Sequence, residues 1–95
     1  MYKLSNRATD DFGSIYEYTW RQFGVDQADK YTHELDLFLK LLDNNPFAGR
    51  DFSNVVEGVR RYDYRSHAIF YRQSDYGIFI IRILHQHMNP TLHLL

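Results

Sequence analysis

Arg82 is the only polar residue in Ile78–Leu84 (IFIIRIL), a run that otherwise reads as a central strand covered on at least one face. An arginine planted there has two readings. It binds an anion or a partner from the open side of a sheet, or it is held by an acid such as Asp63 or Glu57. His85 and His87 follow two residues apart near the strand end, where imidazoles could act as general acid and base or flank a metal. No Asp or Glu completes a ligand set at a recognisable spacing, so the pattern predicts no metal and histidines that make ordinary hydrogen bonds. Arg60, Arg61 and Arg65 could meet phosphates, against a plainer reading as a solvated strand with one arginine bridging to a helix acid. Tyr62, Tyr64 and Tyr71 could stack on bases, but aromatics at period two indicate sheet packing. Asp10 and Asp11 are explained by a helix N-terminus, where the macrodipole favours acids, rather than by paired-carboxylate catalysis. The chain has no glycine-rich phosphate loop and no nucleophile elbow, so no cofactor is expected.

Ser66–Gln73 and Tyr76–His85 are strands rich in Ile, Phe and Tyr, preceded by a shorter strand at Val59–Tyr64. Ser74–Gly77 between them fits a three-residue hairpin loop closed by Gly77 with positive φ as a bulge. In that register, positions summing to 152 face one another, which sets His67 against His85. Ile69, Tyr71, Ile81 and Ile83 then share the helix side, while Phe70, Arg72, Ile80 and Arg82 share the other.

Tyr2–Leu4 reads as a first strand docked on the sheet edge. Ser5 or Asn6 caps a first helix whose stripe is Ala8, Phe12, Ile15, Tyr16, Thr19 and Phe23. Gly13 costs that helix about 1 kcal/mol relative to alanine and marks a close helix crossing; Gly24 ends it. Asp26 caps a second helix striped by Ala28, Tyr31, Leu35, Phe38 and Leu42 and widened by Leu39 and Leu41, stopped at Asn44–Pro46. One intervening residue, Val25, forces an antiparallel helical hairpin. Residues 46–56 read as a loop pinned by Phe47 and Phe52, and the tail after Pro90 is left unassigned. The fold class is therefore α+β: an N-terminal strand and an antiparallel helical hairpin on one face of a small twisted antiparallel sheet, in a single domain over residues 1–95.

Composition narrows the functional classes. With no cysteine, disulfides, thiolate metal sites and cysteine nucleophiles are excluded, and a reducing cytoplasm is the expected compartment. No apolar signal core or membrane span is present. The net charge of −1 hides an asymmetry: residues 1–45 are at −3, whereas residues 46–95 carry six Arg, no Lys and four acids, for +2. The strand half is the half suited to an anionic partner, though +2 falls well short of a dedicated nucleic-acid binder.

The strings Ser5…Ala8…Asp11-Phe12…Ile15, Phe23-Gly24…Gln27-Ala28…Tyr31, Asn45-Pro46…Gly49-Arg50, Gly58-Val59-Arg60, Ser66-His67-Ala68-Ile69-Phe70-Tyr71 and Arg82-Ile83-Leu84-His85…Met88-Asn89 occur in this order. Together they resemble the ParE toxins of type II toxin–antitoxin systems, within the RelE/ParE superfamily. The resemblance implies the helical hairpin on a sheet argued above. It also implies a non-enzymatic toxin that poisons DNA gyrase and so blocks replication, neutralised by a ParD-like antitoxin in a hetero-oligomer that meets DNA only through antitoxin or gyrase. Related superfamily members are ribosome-dependent mRNA interferases, whose extra basic residues are replaced here by Ala68 and by Gln86 and His87. RNA cleavage is therefore the alternative reading, and a non-toxic relic acting only in an autorepressor complex is a third. Charge and position, not a transferred motif, single out Arg61, Arg65, Arg82, His85 and His87 for target binding. The apolar stripes single out Phe12, Tyr16, Phe23, Tyr31 and Phe38 for the antitoxin.

Overall fold

The computed structural model describes residues 1–94. The chain runs β1 (Lys3–Leu4), α1 (Asn6–Phe23), α2 (Val25–Asn44), β2 (Arg50–Asp51), β3 (Arg60–Tyr64), β4 (His67–Ser74), β5 (Gly77–His85) and α3 (Pro90–Leu94). One five-stranded sheet has the order β1-β5-β4-β3-β2, and both long helices pack on one face of it. The helix and strand layers expected from sequence are therefore present. One feature of the sheet differs: β2 to β5 are antiparallel, but β1 lies parallel to β5. The whole helical hairpin and three strands separate β1 from β5, so no tight turn dictates their relative direction.

Serine at position 5 caps α1, its Oγ accepting from the Ala8 amide at 2.9 Å. Gly24, at φ +93°, serves as the C-cap of α1 and the N-cap of α2 at once. A single residue thus makes the joint, so α2 begins at Val25 and Asp26 falls in its first turn instead of capping it. Ala8, Ile15, Leu35, Leu39 and Leu42 from the helices bury against Ile69, Tyr71, Ile78, Ile80 and Ile83 from the strands. Each fully buried Leu or Ile contributes roughly 1.5–3 kcal/mol of transfer free energy. The stripes are narrower than periodicity suggested, since Phe23 and Leu41 are exposed. Gly13 is no helix crossing, because a β-carbon there would meet nothing within contact distance.

The last hairpin corrects the expected register. Asp75 and Tyr76 form a two-residue turn that sets Ser74 opposite Gly77. Pairs summing to 152 hold only from His67–His85 to Phe70–Arg82; beyond a bulge, Tyr71 faces Ile80. Ile81 is the extra residue of that bulge. Ile80 consequently points to the helices and Ile81 to the opposite face, the reverse of the expectation. Gly77 keeps its positive φ of +141°, and a β-carbon there would collide with the Asp43 carboxylate that accepts from the Ile78 amide.

Two segments gain structure that the sequence reading withheld. Residues 46–56 contain β2, and the phenol of fully buried Tyr71 pins them by accepting from the Gly49 amide and donating to the Pro46 carbonyl, each at 2.8 Å. Phe52 packs edge-on against Phe70, whereas Phe47 is 67% exposed and stays outside the core, its ring centroid 4.9 Å from the Arg60 guanidinium. After β5, Pro90 starts α3 with its φ already suited to a first helical turn. Leu94 then packs on a second cluster of Val59, Ala68, Phe70 and Leu84, on the sheet face away from the long helices.

Candidate functional site

Beyond Leu4, α1 takes over the task of covering the free edge of β5. The Ser5 hydroxyl donates to the Ile81 carbonyl at 2.7 Å, and the Asp11 carboxylate accepts from the Ile83 amide at 3.0 Å. The same carboxylate receives both arms of the Arg82 guanidinium, Nε at 2.8 Å and Nη2 at 2.9 Å, while Nη1 donates to the His93 carbonyl of α3. Arg82 and Asp11 are each only 14% exposed. The bond to Asp11 pushes the guanidinium pKa up against the opposing effect of burial. Arg82 is therefore not a free group on an open sheet face. It joins β5, α1 and α3, and its acid is neither Asp63 nor Glu57. The sequence carried a signal for this: Ala8, Asp11 and Ile15 lie at spacings of three and four, so Asp11 is a charge on the buried stripe of α1.

At the end of the sheet nearest the β3–β4 turn a different group gathers. His67 and His85 face one another across β4 and β5 with ring centroids 5.8 Å apart, and the His87 ring lies 4.9 Å from that of His85. The Tyr31 hydroxyl from α2 bonds His67 Nδ1 at 2.9 Å. Burial holds the His67 imidazole below its ordinary pKa, the His85 charge adds to this, and the Asp11 carboxylate opposes it. The His87 amide donates to His85 Nδ1 at 3.3 Å. Arg65, at φ +55° in the two-residue turn, bonds Glu34 of α2 at 2.7 Å and lies over the rings of Tyr64 and Tyr31 at 5.2 and 5.5 Å. Gln86 ties the segment after β5 back to that turn through bonds to the Ser66 and Arg65 carbonyls.

Of the five residues singled out for target binding, the structure thus brings three together: Arg65, His85 and His87. His67, Tyr31 and Glu34 complete the group and were missed as such, although Tyr31 and Glu34 share one face of α2 at a spacing of three. Arg61 lies elsewhere, on the face away from the helices, where Nε bonds Asp63 at 2.8 Å and Arg50 shares the same carboxylate. Among the described residues no group of three His, Cys, Asp or Glu is arranged to hold a metal ion. Tyr62 and Tyr64 pack on Phe38 at 5.0 and 4.4 Å, so these rings belong to the sheet–helix contact rather than to a base-stacking platform.

This arrangement matches known proteins over nearly its full length. A family described as the ParE toxin of the type II toxin–antitoxin system parDE matches residues 2–90. The chain belongs to the ParE toxin family. It is 39% identical over 93 residues to a Toxin ParE1 of Caulobacter vibrioides, covering 98% of this chain and 96% of that one. A Toxin ParE1 of Mycobacterium tuberculosis is 36% identical over 89 residues, at 93% and 91% coverage. Among solved structures, a chain of the chromosomal ParDE TA system from P. aeruginosa superposes with a TM-score of 0.76 at 26% identity, covering 88% of this chain and 92% of that one.

As a ParE toxin of a ParDE system, the protein has an antitoxin as partner, and the residues singled out for that contact fall into two kinds. Phe23 is 70% exposed at the tip of the helical hairpin, next to half-exposed Trp20 and Val25. Phe12 and Phe38 are half-buried against the core. Tyr16 is half-buried and donates to Asp29 at 2.7 Å. Tyr31 is committed to His67. Phe12 also lines a groove of about 450 Å³ with Tyr2, Leu4, Asp29, Thr32, His33 and Asp36, so this ParE chain offers an apolar floor with an acidic rim on its helical side. No helix among the described residues is long and apolar enough to cross a membrane.

Proposed function

We propose that this ParE-family chain acts in the cytoplasm as a toxin that binds DNA gyrase, holds it in its cleaved-DNA state and so blocks replication, without cutting a nucleic acid itself. The observation that carries this reading is the state of its arginines. Arg82, Arg61 and Arg65 are paired with Asp11, Asp63 and Glu34, so each is neutralised before any phosphate arrives. A site that stabilises a leaving oxygen or a pentavalent phosphate needs preorganised cations with free donors. Arg65, His85 and His87 form the exposed surface with which the toxin meets its target, by packing and hydrogen bonding. A ParD-like antitoxin neutralises it by folding over the hairpin tip around Phe23 and along the groove beside Phe12.

One observation favours a second reading. Three imidazoles, His67, His85 and His87, lie in sequence at the sheet end, and a neutral His67 beside an exposed His85 is the equipment of general acid–base cleavage of RNA. A supercoiling and DNA-cleavage assay with purified gyrase, run beside a translating-ribosome assay for cut messages, separates the two. Accumulation of linear DNA with intact messages supports the gyrase reading. Messages cut codon by codon with supercoiling untouched overturn it, and inertness in both assays with no growth defect identifies a relic.

A further inference from the structure

The sheet face turned away from the long helices carries a set of cations that the gyrase reading does not use. Leu4 and Ile80 pack on the helix side, so Lys3 and its register partner Phe79 point the other way, and Arg72, paired with Phe79, joins them. These three residues form a row across β1, β5 and β4. The Lys3 ammonium lies 4.3 Å from the centroid of the Tyr76 ring, and the Arg72 guanidinium 5.2 Å from that of Phe79. One row along, about 7 Å away at the pitch of a strand, Phe70 faces Arg61 and Arg61 faces Arg50. Asp63 is the only carboxylate that the strands place on this face, and it is shared by Arg50 and Arg61. Among the described residues neither Lys3 nor Arg72 has a carboxylate at ion-pair distance.

The kind of partner follows from what accompanies the charge. Protein interfaces are anchored by buried aromatic or aliphatic side chains. Trp20, Phe23, Leu37 and Leu41 are exposed on the long helices; on this side Leu92 is exposed on α3, and the exposed ring beside the cation row is Tyr76, over which the Lys3 ammonium lies. A row of strand cations whose one exposed neighbouring ring is already covered by Lys3 suits a regular polyanion, whose phosphates supply charge and no apolar pocket. We propose that Lys3, Arg72 and Arg50, whose side chain is 60% exposed while Arg61 is held beneath it by Asp63, contact the phosphate backbone of duplex DNA without reading its sequence. This goes beyond a gyrase-only contact, because the DNA is touched by the toxin itself.

Fluorescence anisotropy of the full chain with a short labelled duplex, titrated at several salt concentrations, tests it. The wild type is expected to bind at low salt, with log K falling against log salt at a slope of about −2 to −3, near 0.9 per phosphate contact. A Lys3→Gln/Arg72→Gln variant should bind at least about tenfold more weakly and lose about two units of slope, while Arg21→Gln, exposed on α1 away from this face, binds like the wild type. If the double variant melts early, each single change carries the same test with a slope loss of about one. Absence of binding at low salt, an unchanged slope, or a loss of antitoxin capture in place of DNA binding overturns the proposal. A wild type that poisons gyrase without binding the free duplex sinks this inference alone, and one that binds the duplex while supercoiling proceeds sinks only the gyrase reading.

Discussion

Arg82 and Arg65 are the same residue type, each bonded to a helix carboxylate at under 3 Å, yet they belong to different parts of the protein's physics. The Arg82–Asp11 pair is 14% exposed at both ends, bidentate, and tied into the backbone of β5 and α3. The Arg65–Glu34 pair is 50% and 30% exposed, made through one contact in a turn, and screened by water. Removing one partner from a desolvated pair strands a charge, whereas removing one from an exposed pair releases a side chain to solvent. Distance alone does not distinguish a joint from a contact surface. Burial does.

Asp11→Ala should have the largest effect, about 3 kcal/mol lost in urea unfolding, because it strands the Arg82 charge and leaves the Ile83 amide without an acceptor. Arg82→Ala should follow closely, with weaker gyrase inhibition only in proportion to lost folded protein. A variant that melts like the wild type would dissolve the distinction drawn here. Tyr71→Phe should cost about 1–3 kcal/mol, since the Gly49 amide and the Pro46 carbonyl lose their buried partner.

Protonation offers a subtler probe of the sheet end. His67 has a folded pKa below the ordinary imidazole value of 6.5, so near and below that value the unfolded chain binds a proton that the folded chain does not. Stability is complete above pH 6.5 and falls as pH drops through that value towards the folded pKa, with a slope of at most about 1.4 kcal/mol per pH unit. His67→Gln should flatten this component in urea melts taken from about pH 8 to about pH 5; an unchanged slope would assign the dependence to other groups. Arg65→Ala and His87→Ala should alter stability least, by within about 0.5–1 kcal/mol, while reducing gyrase inhibition. Full inhibition by both variants would remove the sheet end from the target-binding surface.

Much of this was legible in the residues. The helix stripes, the single-residue joint at Gly24, the strand run and the facing of His67 and His85 all arise from local periodicity and turn chemistry, which act over a few positions. The misreadings cluster where one residue shifts a register or where a contact spans the chain. The two-residue turn at Asp75–Tyr76 moves Ile80 and Ile81 to opposite faces from those expected. β2 leaves no mark in the sequence because two strand residues have no periodicity, and its anchor, Tyr71, lies 22 positions from Gly49.

Sequence by itself determined the layers, the family and which residues could carry charge or rings, because amphipathic spacing and composition are local quantities. Only the tertiary structure decided which of those charges are available. Asp11 and Arg82 stand 71 positions apart; the spacing of Ala8, Asp11 and Ile15 reports a charge on the buried stripe of α1, but nothing local reports that its partner is Arg82 and the open edge of β5. The decisive variable was desolvation, a property of the packed chain and not of any segment within it.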